Sequence, residues 1–128
     1  METENRLIAE FMGYEFIDGD FRIPHSDKTR NSDFSEWCST YGDIDGMFSV
    51  GYLLAPSNLM FHTDWNWLME VVEKIENIED CGIDIFFGSV EIYKDGRTII
   101  KVSTKHKTKI ESVYNACLDF IKWYNEQK

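Results

Sequence analysis

The sequence predicts a small α+β sandwich in the order α-β-β-β-α-β-β-α, with a mainly antiparallel sheet and the second and third helices packed side by side. Three observations predict it. Residues 61–76 and 108–125 each repeat apolar side chains at helical spacing around more than half a circumference. Residues 47–54 alternate bulky Phe48, Val50, Tyr52 and Leu54 with thinner neighbours, the spacing of a strand. Lys94-Asp95-Gly96-Arg97 has hairpin chemistry, because Asp-Gly supplies the positive φ angles that twisted strands need.

The elements follow in order. Leu7, Ile8, Phe11 and Met12 share one stripe of a first helix over 5–12, which Gly13 stops. Residues 14–17 read as a brief strand. Residues 18–46 form a polar excursion whose only strand signal lies at 21–23, and a stretch of that length is either functional or mobile. The second helix starts at Thr63 or Asp64, both N-cap residues, and Gly82 closes its region. Its apolar arc spans roughly 200°, with Trp65 turned to the core and Trp67 at the rim, since positions two apart point about 200° apart. Ile83, Ile85 and Phe87 begin a strand whose inward parity switches at Gly88-Ser89, so a bulge or tight turn is expected there. Residues 98–103 return, and Thr108-Lys109-Ile110-Glu111 is a capping box opening the third helix. The predicted core joins Trp65, Leu68, Val72, Ile75, Ile110, Val113, Cys117, Phe120 and Ile121 to Phe48, Val50 and Tyr52.

With 128 residues, 43% of them hydrophobic, the chain closes one core, and a single domain over 1–128 is expected. The charged opening METENRLIAEF carries no secretory pattern, so Cys38, Cys81 and Cys117 are expected as reduced thiols in a cytoplasm. No apolar run reaches the length of a membrane span, and no membrane association is expected. The net charge of −10 is polarised: residues 64–95 carry −7, and residues 96–128 carry +4. Such acidity argues against direct binding of duplex nucleic acid, whose affinity comes from neutralised phosphates. An acidic surface can imitate nucleic acid toward a basic partner, but it is more often a route to solubility, and that reading is preferred.

Three blocks, NRLIAEFMG at 5–13, FHTDWNWLMEVVEKIE at 61–76 and TKIESVYNACLDFIKWYNE at 108–126, resemble the anchor blocks of small proteins from phages and prophages of Bacteroidetes. More distantly they are similar to the phage ABA sandwich domain, which also opens with an LIAE-x-MG type helix and closes with an alanine-containing amphipathic helix. The resemblance implies a sandwich fold and a bacterial host cytoplasm. Because the blocks are core positions, it implies no active site.

Candidate chemistry is sparse. Asp43-Ile44-Asp45-Gly46 starts like a calcium loop but lacks its later ligands, so a solvated turn is preferred. His25, His62 and His106 have no ligand at metal spacing, and no metal or cofactor is expected. His62-Thr63-Asp64 contains an acid and a base, but capping a helix is job enough for Thr63 and Asp64. The basic run is more informative. Lys105, His106, Lys107, Thr108 and Lys109 bring cations to a helix start, where the macrodipole disfavours them, and form a candidate site for a phosphorylated small ligand with an aromatic ring nearby to stack a base. The alternative is a solvated basic loop balancing the acidic segment.

The leading expectation is a non-enzymatic phage protein that engages a host protein or other macromolecule, in a counter-defence role, with Trp67 and Trp123 as an interaction surface that would also serve self-association as a homodimer. A binder of nucleotide signals comes second. An enzyme comes last, since no nucleophile, acid, base and anion donor assemble from the sequence and no catalytic residue stands out.

Overall fold

A computed structural model of the protein describes residues 2–23, 52–105 and 107–127. Phe48 and Val50, the turn at 43–46, His25, Cys38 and His106 lie outside them, as do the remainder of residues 24–46 and the side chain of Tyr52. The fold is α+β, and the described residues form three helices and two antiparallel three-stranded sheets. The chain divides into two units, Met1–Leu59 and Met60–Lys128.

In the first unit, helix α1 (Glu2–Phe11) buries Ile8 and Ala9. It ends where Gly13 takes φ 79°, with Tyr14 N–H donating to Ala9 O and Gly13 N–H to Glu10 O, the paired bonds that close a left-handed helix stop. Strands β1 (Glu15–Ile17) and β2 (Asp20–Ile23) are joined by Asp18-Gly19, both at positive φ, as a two-residue turn requires. The excursion expected from residue 18 therefore begins as a hairpin. Strand β3 (Tyr52–Leu54) pairs with β2, giving the order β1-β2-β3. A 3-10 turn at Pro56–Asn58 follows, and Asn5 on α1 donates to Leu59 O at 3.3 Å.

The second unit carries the helix pair. Helix α2 (Trp65–Glu76) is capped by Asp64, whose carboxylate accepts from Asn66 N–H at 2.8 Å. It ends at Asn77, earlier than Gly82, which lies inside strand β4 (Cys81–Ile85). The connection is short because Asp80 adopts φ 62°, a left-handed conformation that aspartate tolerates. Strand β5 (Ser89–Lys94) is separate from β4, so the parity switch at Gly88-Ser89 is a tight turn and this half has three strands where two were predicted. Asp95 and Gly96, at φ 55° and 76°, turn β5 into β6 (Arg97–Ser103). The register shift falls at Ile92/Tyr93.

Helix α3 (Lys109–Glu126) starts at Thr108, whose hydroxyl accepts from Glu111 N–H at 3.2 Å. Helices α2 and α3 pack on each other, α2 against β4 and α3 against β5 and β6. Ile83, Val90, Ile92 and Val102 are the buried residues of the sheet, and the helices bury Trp67, Leu68, Val71, Val72 and Ile75 from α2 and residues 112–114, 116–118, 120 and 121 from α3. Ile110 is half-buried. The buried residues of α3 occupy an arc of roughly 240°, as a helix touching both a sheet and a second helix requires. Those of α2 occupy only about 140°, centred between Trp67 and Val72. Trp65 therefore leaves the predicted core and is 39% exposed, and Trp67 leaves the predicted rim and is 1% exposed.

Removing either cap tests the helix starts. Asp64→Ala and Thr108→Ala should each cost about 1 kcal/mol, read as a shift of the urea midpoint at unchanged slope. Unchanged midpoints would mean that the caps carry no stability.

Candidate binding surface at one end of the second unit

Connectivity decides which residues meet. Strands β4 and β6 both run toward the β4–β5 turn, since both pair antiparallel with β5. Helix α2 enters β4 through residues 77–80, and β6 leaves for α3 through residues 104–108. Both helices therefore start at the end of the sheet where β4 turns into β5, and both finish at the opposite end. His62, just before α2, lies 6.2 Å from the ring of Tyr114 in α3, as this arrangement requires. Burial lowers the His62 pKa. Glu76, Glu79, Asp80 and Asp95 gather at the opposite end, around the helix C-termini and the β5–β6 turn.

The β4–β5 turn projects apolar side chains at the helix-start end. Phe87 is 99% exposed, Phe86 43% and Ile85 37%. Phe86 N–H donates to Ser89 O at 2.7 Å, which closes the turn. Its neighbour is the basic loop. Thr104 donates its N–H to Gly88 O at 3.1 Å and its hydroxyl to Phe87 O at 3.0 Å, so the backbone under Phe87 is tied to the segment that leads into Lys105. Lys105 N–H in turn donates to Ser103 Oγ, and Lys107 N–H to Thr104 O. Lys105, Lys107 and Lys109 are exposed, and none of them makes an ion pair among the described residues.

The structure thus ties the aromatic turn to the segment that leads into Lys105, Lys107, Thr108 and Lys109. Thr108 Oγ is engaged as the helix cap, which limits its part in any anion site to its remaining acceptor and donor capacity. Phe86 and Phe87 were not legible as site residues. A continuous strand over 83–87 sends Phe87 inward, whereas the turn at Gly88 sends it to solvent. The parity break between Phe87 and Val90 was the available signal.

The two tryptophans expected to form an interaction surface are separated in character. Trp67 belongs to the interior, where its ring meets Phe61 edge-on at 5.2 Å, and it offers no surface to a partner. Trp123 is half-buried, 5.7 Å from Phe120. Among the described residues no group of three or more His, Cys, Asp or Glu side chains is placed to hold a metal ion. No helix among them is long and apolar enough to cross a membrane. No family model, curated protein or solved structure matches the chain.

Proposed function

We propose that the protein is a non-enzymatic binding module that engages a host macromolecule through Phe86, Phe87 and the flanking lysines, in a counter-defence role consistent with the resemblance to phage proteins. The observation that carries this reading is the full exposure of Phe87 on a braced turn. A phenyl ring held in water forgoes roughly 1.5 to 3 kcal/mol of burial. The turn is fixed by the bonds that Thr104 donates and the one that Ser89 O accepts from Phe86 N–H, so the backbone carrying the ring has little ordering left to lose on binding. Rigid aromatic anchors ringed by charge are what interface hot spots are made of.

A second reading, a binder of nucleotide signals, is supported by the same bonds, because they tie the backbone of Phe87 to the segment that leads into Lys105, Lys107 and Lys109 at the start of α3. Two measurements separate the readings. Host macromolecules captured by the tagged wild type and lost with Phe87→Ser support the module, and equal capture by both proteins rejects the tip. A rise in melting temperature with mononucleotides or cyclic dinucleotides, abolished by charge reversal at Lys105 and Lys107 and by added salt, supports the nucleotide binder.

A further inference from the structure

We infer that the macromolecule engaged by this tip is a single-stranded nucleic acid, an inference that rests on the binding-module reading. The side chains at the tip define its chemistry. Phe86 and Phe87 offer π faces without donors or acceptors, which suits stacking on any base and reads no sequence. Lys105, Lys107 and Lys109 supply three ammonium groups within five residues, with no ion pair among the described residues, and Thr104 ties the segment that leads into them to the aromatic turn by two hydrogen bonds. Stacking rings beside free cations is the combination that single strands use, because their bases are unstacked and their phosphates lie alongside.

Charge distribution selects the single strand. The lysines occupy one end of the unit, and the carboxylates of 73–80 and Asp95 gather toward the other. A duplex is stiff over roughly 150 base pairs and would carry its dense charge past those carboxylates. A flexible strand of a few nucleotides meets the basic end alone. Exposed Asp84, on the strand that leads into the turn, and exposed Glu111, in the first turn of α3, add carboxylates at this end that disfavour a plane of anionic headgroups more than a narrow flexible strand.

The test is fluorescence anisotropy with a fluorescein-labelled oligothymidylate of about ten nucleotides at about 50 mM salt. Saturable binding is expected, weakened roughly tenfold or more by Phe87→Ala and abolished by combined Lys105→Glu and Lys107→Glu. The logarithm of affinity should fall with the logarithm of salt at a slope of about −2, the value for three phosphates on a single strand. An abasic oligomer of equal charge and a duplex of equal length should both bind at least tenfold more weakly. Circular dichroism checks that each variant is folded, which the exposure of the three side chains favours. The inference is overturned if the oligomer does not bind, if the abasic oligomer binds as well, or if vesicles of phosphatidylglycerol and phosphatidylcholine bind the tip while the oligomer does not. Phe87-dependent capture of a host macromolecule that survives nuclease treatment would overturn the inference and leave the module reading standing. Capture independent of Phe87 would remove both.

Discussion

Trp67→Ala should destabilise the protein by about 3 to 5 kcal/mol, whereas Trp67→Phe should be close to neutral. The contrast follows from two properties of the indole. It is buried, with the Phe61 ring edge-on at 5.2 Å, so truncation to alanine leaves a cavity as well as losing the transfer energy of the ring. Its Nε1–H is also buried and finds no acceptor among the described residues. A donor in that state carries a desolvation penalty of about 1 to 3 kcal/mol, and phenylalanine removes it while keeping most of the contact. The smaller ring then costs about 1 kcal/mol in cavity, which offsets the gain. Urea unfolding of the three proteins decides the matter. A Trp67→Ala variant as stable as the wild type would mean that the indole faces solvent or a partner, and a Trp67→Phe variant as damaged as the alanine would mean that the N–H has an acceptor after all.

Helix phase explains why the two tryptophans exchanged places between sequence and structure. Trp65 and Trp67 lie about 200° apart on α2, and an apolar arc of roughly 200° accommodates either of them at its edge. Periodicity alone does not rank the two edges. What ranks them is the segment before the helix, where Phe61 is buried and meets Trp67, a contact that helical spacing does not encode. The caps, by contrast, were legible. Asp64 and Thr108 act on amides two and three residues away, so their chemistry is written within one turn of sequence. The same locality made Gly13 and Asp95-Gly96 readable. Gly82 misled because glycine marks both helix stops and strands, and here Asp80 supplies the left-handed residue instead.

The basic loop was readable as an oddity, since lysines beside a helix start oppose the macrodipole. Its neighbour was not. The bonds from Thr104 to Phe87 and Gly88 span sixteen or more residues and depend on β4 and β6 flanking β5, which follows from the tight turn at Gly88. Reading residues 83–92 as one strand removes a strand reversal and separates the aromatic residues from the lysines.

Phe120→Ala should cost about 3 to 5 kcal/mol and expose Cys117 to modification. Phe120 is fully buried in α3, with the Tyr124 ring stacked on it at 5.8 Å and 19° and Trp123 at 5.7 Å. Domains of this size are stable by about 5 to 15 kcal/mol, so the loss takes a large part of the total. Cys117, nearly one turn earlier on the same buried arc, reports that loss directly. Burial pushes its thiol up to about 12, and the ring of side chains around it excludes reagent, so reaction near neutral pH requires opening of the helix. A raised pKa leaves almost no thiolate in the folded state until strongly alkaline pH, whereas the opened chain restores an ordinary thiol. The rate of Cys117 labelling should therefore follow the population of the open state and rise by more than about a hundredfold in Phe120→Ala. Mass spectrometry of the labelled peptides distinguishes Cys117 from half-buried Cys81, which also keeps a raised pKa but has partial access to solvent. Labelling of Cys117 in the wild type as fast as in an unfolded control would place α3 outside the core, and an unchanged urea midpoint in Phe120→Ala would show that the aromatic cluster around Phe120, Trp123 and Tyr124 contributes no net stability.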